Sequence, residues 1–356
     1  MVDLADISSI DRNFATKTSI DMPDVKFYDV EQAPFKVYGV FLEDGQYRRM
    51  PQAVASTVND GVLRLHTNTA GGRVRFCTDS PYVALHADMG FINRLPHCAA
   101  AGTGGFDLYV DGRHLKTFVP TATAQEDGIE GIVGLDGVEG MHEILIHFPT
   151  YSHVKRVYIG LADGAHVAEP TPYRNEKPVV YYGSSITQGG CASRPGMCYT
   201  NILSRQFNCD HINLGFSGSA LGEDAMAEYL CGLDMSVFVC DYDHNADVRQ
   251  LRETHEKLYK AVRAAHSDIP IVIMGRPKYT LSEAELPRVD ILTATYEHAR
   301  ANGDNVYLLL GEELMAWCRD EGTVDNTHPN DFGFASMAHA VAGVFEKIYG
   351  ETAQKP

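Results

Sequence analysis

The chain of 356 residues has no stretch approaching twenty consecutive apolar residues, which excludes a membrane-spanning helix. Positive charge is also scarce. Thirty Lys and Arg stand against 47 Asp and Glu, a formal charge of −17, and no basic cluster offsets the excess. Such a surface repels nucleic acid and anionic membranes and suits neutral or cationic ligands. Cysteine pairs at metal-knuckle spacing are missing. Cys77, Cys98, Cys191, Cys198, Cys209, Cys231, Cys240 and Cys318 form no CxxC, so scattered reduced thiols are expected, with a bridge between Cys191 and Cys198 as the alternative. The chain begins MVDLADISSIDRNF, acidic and polar where a secretory signal needs a basic end and an apolar run, so a cytoplasmic protein is expected. Internal repeats and low-complexity tracts are absent.

The remaining composition is that of a globular protein, 44% hydrophobic and 22% charged, and the length allows two cores. Two periodicities divide it. Up to about Tyr173, segments such as GVLRLHTNT, GRVRFCTDS, PYVALHADM, GFDLYVDGRHLKTFV, HEILIHFPT and VKRVYIGLA alternate apolar and polar residues, which predicts antiparallel strands. Asp111-Gly112 sits between two of these runs and suits a primed hairpin turn. Residues 1–173 are therefore expected to form an all-β jelly roll or β-sandwich. EPTPYRNEKP, residues 169–178, has three prolines and reads as the connection. Beyond it, continuous apolar strands (VVYY, HINLG, SVFVCD, IPIVIMG, NVYLLLG) alternate with helical stretches, among them 247–267 with one apolar face. This α/β pattern predicts a doubly wound parallel sheet over 174–356.

Ligands of an open parallel sheet sit beyond the carboxyl ends of its strands. The first strand delivers Gly183-Ser184-Ser185 there, the second Gly215 and Gly218, the third Asn245, and the late segment DNTHPNDFGF supplies Asp325 and His328. A serine hydroxyl needs a base, and a histidine serves best when a carboxylate fixes its tautomer. The spacing of Asp325 and His328 lets one tight turn aim both side chains the same way, and Pro329 fixes the backbone after them. The amides of Ser185 and Gly218 and the side chain of Asn245 are candidate donors to an oxyanion.

These segments, GSSIT, NLGFSGSA, the Asn after the third strand and DNTHPND, resemble the four sequence blocks of the SGNH/GDSL hydrolases, in order. GFDLYV, residues 105–110, is similar to the GxDLY segment of the β-sandwich that precedes the catalytic domain in one branch of that family. The resemblance implies a flavodoxin-like catalytic domain with Ser185 as nucleophile, His328 as base, Asp325 as its orienter, and Ser185, Gly218 and Asn245 as oxyanion hole. It implies ester hydrolysis, often of acetyl groups on sugars, without a cofactor or metal. Two departures stand out. Ser184 occupies the place of the family's aspartate and is expected to supply a local hydrogen bond, and CDYDHNAD replaces the usual Gly-x-Asn-Asp, which brings Asp243 and His244 forward as substitutes for Asn245 or as substrate contacts.

The expected function is thus a serine esterase that removes small acyl groups, chiefly O-acetyl, from a carbohydrate or glycoside. An acyltransferase using the same serine and a carbohydrate-binding protein with a disabled site are the alternatives. The partner is a small-molecule or oligosaccharide ester, with no nucleic acid and no membrane, and the oligomeric state is left open, a homo-oligomer included. Asp241, Asp243 and His244 are of metal-binding type, but their spacing compels no site. Trp317, the one tryptophan, is either a sugar-stacking contact or core. Phe91 and His97 either reach the cleft from the sandwich or pack within a surface loop.

Overall fold

Asp111 and Gly112 both adopt positive φ, 48° and 79°, in a computed structural model that describes residues 18–121, 128–135 and 140–353. That backbone is what a primed turn requires, and it joins two paired strands. The acidic start of the chain lies outside the described residues.

The strands of the amino-terminal half are β1 (Val25–Asp29), β2 (Lys36–Tyr38), β3 (Phe41–Glu43), β4 (Gln46–Arg48), β5 (Arg73–Thr78), β6 (Tyr82–Phe91), β7 (Phe106–Val110), β8 (Arg113–Phe118), β9 (Ile129–Gly134), β10 (His142–His147), β11 (His153–Ala162) and β12 (Val167–Ala168). One antiparallel sheet has the order β1-β11-β6-β9. A second runs β12-β5-β10-β7-β8, with β2 also on β5, and β3-β4 form a separate hairpin. Alternate residues of both sheets, among them Val83, Leu85, Ala87, Ile159 and Leu161 from one and Val74, Phe76, Leu108, Ile144 and Ile146 from the other, meet in one core. Period-two alternation therefore produces two sheets closed face to face.

One segment departs from the expected strands. GVLRLHTNT begins as helix: α1 (Gln52–Val58) is followed directly by α2 (Asp60–Leu65), and α3 (Ala100–Gly104) comes later. Asn59 caps α2 by accepting from the Val62 amide at 2.8 Å, and Val62 and Leu65, three apart, are buried while Leu63 is exposed. A cap and an i, i+3 pair outweigh an alternation that is equally readable as a strand. Met50, Ala55, Val62 and Leu65 pack with Leu214, Phe216 and Met226, so these helices share a core with the other half.

In the carboxy-terminal half β13 (Val179–Gly183), β14 (His211–Gly215), β15 (Val237–Asp241), β16 (Ile271–Met274) and β17 (Val306–Leu309) pair in parallel in the order β14-β13-β15-β16-β17. The helices are α4 (Ser185–Gln188), α5 (Tyr199–Phe207), α6 (Asp224–Cys231), α7 (Val248–Ala265), α8 (Leu286–Ala301), α9 (Gly311–Leu314) and α10 (Asp331–Tyr349). Val180 and Tyr182 enter one core and Val179 and Tyr181 the other, so the sheet is buried on both faces. The second-first-third-fourth-fifth strand order places the switch point at β13. Among the described residues no helix is long and apolar enough to cross a membrane.

Candidate active site

Gly183 lies level with Gly215 on one neighbouring strand and with Asp241 on the other. The three following loops therefore leave the sheet at one height. A Cβ at Gly183 would lie 2.0 Å from Thr187 Oγ1 and 2.4 Å from the Asp241 carbonyl oxygen, so no side chain fits where the chain turns from β13 into α4. Ser184 caps α4, its hydroxyl accepting from the Ile186 amide at 3.1 Å. That is a local hydrogen bond of the kind expected of a residue standing in for aspartate. The cap leaves Ser185 as the first helical residue, 5% exposed.

Ser185 Oγ lies 2.9 Å from His328 Nε2, and His328 Nδ1 lies 2.8 Å from Asp325 Oδ2. The turn that brings the last two together is closed by the Val324 amide donating to the His328 carbonyl at 2.9 Å, with Asn326 in the left-handed region at φ 64°. Asp325 Oδ1 also accepts from the amides of Thr327 and His328, at 3.1 and 2.8 Å. Partial burial works against the charge of Asp325, but the hydrogen bonds from the His328 amide and imidazole and from Thr327 outweigh it and hold the carboxyl below its ordinary value. With Nδ1–H given to a carboxylate, Nε2 is left to accept the proton of a hydroxyl in reach.

Gly218 and Asn245 come to the same end of the sheet. Gly218 has φ 68°, and a Cβ there would meet nothing within 4 Å, so its backbone borders open space. Asn245 donates through Nδ2 to the Phe216 carbonyl at 3.0 Å, which ties the third loop to the second. The Ser217 amide donates to Gln188 Oε1 at 3.0 Å, fixing the second loop to α4. His244 is largely buried. Burial first, then Arg276 and the nearby His328, push its pKa down to about 3, so it is a neutral imidazole, and its Nδ1 has no partner among the described residues. Asp243 is buried against Arg276 and accepts from Arg288 through its carbonyl. Trp317 is 55% exposed, stacks on His339 at 4.1 Å, and lines a groove of about 770 Å³ with Tyr109, Arg194 and Arg205 whose lining does not include Ser185 or His328.

Several contacts around the site carried no sequence signal. Tyr151, from the amino-terminal half, donates its hydroxyl to the Ser185 carbonyl at 3.3 Å. Arg49 donates to the carbonyls of Asn213, Gly215 and Leu65 at 3.1, 2.6 and 2.7 Å, and burial pushes its pKa down to about 9. Asp241 accepts from Thr187 Oγ1 at 2.7 Å and Tyr199 at 2.9 Å, and burial raises its carboxyl to about 7. A lone Tyr or Arg at a strand end belongs to no motif. Of the two sandwich residues singled out by sequence, His97 lies with its ring 5.3 Å from that of His328, while Phe91 packs on His153 at 5.9 Å. Cys191 faces Cys98, not Cys198, with 3.6 Å between sulfurs, and all eight cysteines are unbridged.

Residues 176–346 match the family model of the GDSL-like lipases/acylhydrolases, and residues 25–167 match the GxDLY model, described as the N-terminus of the SGNH-hydrolase type of esterase. No curated protein matches the chain. Among solved structures, a candidate GDSL-like lipase from Bacteroides ovatus is 27% identical with a TM-score of 0.82, over 93% of this chain and 100% of its own. A salicylyl-acyltransferase from a tetracycline biosynthetic pathway is 20% identical with a TM-score of 0.74, over 92% and 98%. A family two carbohydrate esterase from Clostridium thermocellum, solved with cellohexaose, is 17% identical with a TM-score of 0.59, over 80% and 94%. The last two are likenesses of fold.

Proposed function

We propose, since the chain belongs to the GDSL-like lipase/acylhydrolase family, that it is a serine esterase removing O-acetyl groups from carbohydrates or glycosides. The observation that carries this reading is the continuous line from Ser185 Oγ through both nitrogens of His328 to Asp325, at 2.9 and 2.8 Å. In this reading Ser185 Oγ attacks the ester carbonyl while His328 Nε2 takes its proton. Asp325 holds the imidazole in the required tautomer and stabilises the imidazolium. The amides of Ser185 and Gly218 and the second N–H of Asn245 receive the negative oxygen. The sugar hydroxyl leaves with the proton from His328, and water, deprotonated by the same nitrogen, then releases acetate and frees the serine. Residues 174–356 perform the chemistry, and the sandwich contacts the carbohydrate from the side where Tyr151 and His97 approach the site. His244, neutral and next to His328, is proposed as a substrate contact. Trp317 would serve only an extended substrate reaching the groove beside α5 and α10. Eight unbridged thiols fit a reducing, cytoplasmic setting.

Labelling with a fluorophosphonate followed by mass measurement tests the nucleophile. One adduct on Ser185, absent from Ser185→Ala, is expected; an unlabelled wild type would favour a binding protein. Acetate release from acetylated oligosaccharides, resolved by position with NMR, then tests the substrate. The acyltransferase reading is kept because the salicylyl-acyltransferase superposes better than the carbohydrate esterase, at 0.74 against 0.59. An acylated acceptor formed in preference to free acid would decide for it.

A further inference from the structure

We infer that His97, Cys98 and Cys191 form a binding site for a thiolate-preferring divalent cation of the zinc class, clamping the sandwich to the turn that follows the Ser185 helix. The donor atoms of these three residues all lie within 4.8 Å of one another. The two sulfurs are 3.6 Å apart. Two thiolates on a tetrahedral zinc, each at about 2.3 Å, stand about 3.8 Å apart, so the pair is already spaced for one ion. A disulfide would need them at about 2.05 Å.

The backbone holds this spacing from both sides. On the sandwich side, the Cys98 amide donates to the Leu95 carbonyl at 3.0 Å and α3 begins two residues later. On the other side Cys191 sits in the left-handed region at φ 70°, just after the α4 cap, and its sulfur reaches the His97 carbonyl at 3.4 Å. The two segments touch closely: a Cβ on Gly102 would lie 2.1 Å from the Ala192 carbonyl oxygen. Cys191 is buried and Cys98 partly so, whereas His97 is exposed at the rim, which gives the ion a route in.

Soft thiolates with one imidazole select zinc-class ions over the hard oxygen-seeking ones. Binding breaks two S–H bonds and sends two protons to solvent, with no change of oxidation state. Three protein ligands leave a fourth position for water. The site stands on these side chains alone and is independent of the role given to Ser185.

Titration of the reduced, full-length protein with Co²⁺ tests it, read by thiolate-to-cobalt charge-transfer absorption. One equivalent should bind, and Zn²⁺ should displace it. Cys98→Ser and Cys191→Ser should abolish the absorption, Cys231→Ser should keep it, and His97→Ala should weaken binding at least as much as losing a supporting contact does, about 10- to 100-fold. Circular dichroism checks that the serine variants fold. An absent band in the reduced wild type, or one that survives either serine variant, overturns the site. So does a mass lower by two hydrogens with two thiols missing, if reduction restores the thiols without restoring cobalt binding; the pair would then be a bridge.

Discussion

Between Ser185 and His328, both in the carboxy-terminal half, one hydrogen bond of 2.9 Å joins side chains 143 residues apart in sequence. From the amino-terminal half, Asn68 Oδ1 accepts from Gln188 Nε2 on the Ser185 helix at 3.0 Å, but no described side chain of that half hydrogen-bonds the Ser185 hydroxyl or the His328 ring. Tyr151 and Arg49 donate to main-chain carbonyls, and His97 offers a ring face. Ser185, the proposed nucleophile, lies just beyond β13 of a sheet buried on both faces, where packing leaves little freedom, and His328 reaches it from the turn before α10. The sandwich supports the backbone that presents those side chains. The difference teaches that one half can be read as chemistry and the other as positioning, and variants can break or sharpen the division.

The largest effect should come from His328→Ala. Removing one member of such a relay costs roughly 10⁴-fold or more in kcat. His97→Ala, whose ring is 5.3 Å away but in no hydrogen bond to Ser185, should stay within about tenfold of wild type in the same acetate-release assay. Equal losses in the two variants would break the division, because a sandwich residue would then be doing chemistry. Next in size is Asn245→Ala. Deleting one oxyanion donor costs about 10²- to 10³-fold in kcat. KM should change little, since the developing charge is felt mainly in the transition state. A change confined to KM would reduce Asn245 to a tie between the second and third loops, through its side-chain bond to the Phe216 carbonyl.

This division also governs what could be read in advance. The glycine and serines of GSSIT and the DNTHP turn declare themselves because each segment needs a special backbone: no room for a side chain at Gly183, a cap at Ser184, a left-handed residue inside the Asp325 turn. Local constraints of that kind are written in local sequence. The strand-and-helix alternation after residue 178 was legible for the same reason, and so was the Asp111-Gly112 turn. GVLRLHTNT was not, since its pattern fits either period and the cap at Asn59 decided it. Tyr151 and Arg49 were not legible at all, and Asp241 was read only as a residue of metal-binding type, not as a buried partner of Thr187 and Tyr199. Their partners are carbonyls or hydroxyls distant in the chain, and a residue that supports a fold through one long-range bond leaves no spacing to recognise. Cys98 and Cys191, 93 residues apart, escaped for that reason too.

A smaller effect should appear in stability instead of rate. Asp241 is fully buried, and burial raises its carboxyl from 3.8 to about 7 against the hydrogen bonds from Thr187 and Tyr199, with Asp243 adding to the rise. Between those values the folded protein holds a proton that the unfolded chain has released. The stabilisation is therefore complete below the unfolded value and is lost as pH rises through the folded one. Asp241→Asn has no such proton to lose. Its Tm relative to wild type should increase between about pH 5 and about pH 8, and a constant difference would mean that Asp241 does not titrate in this window.

The smallest effect, and the sharpest test of the sandwich as a positioning element, is Tyr151→Phe. Its hydroxyl meets the carbonyl of Ser185 at 3.3 Å, not the hydroxyl, so it cannot exchange a proton with the reacting atom. Deleting one such neutral bond is worth about 1 kcal/mol, or about fivefold in rate if all of it bears on the geometry of Ser185. The ring itself remains and keeps the core packed, so Tm should fall by only a few degrees. A positioning role further requires that kcat fall while its pH profile keeps its shape, because the titrating group is untouched. If the profile moved instead, Tyr151 would be coupled to the proton transfer at His328, and the amino-terminal half would have to be counted as part of the reacting machinery.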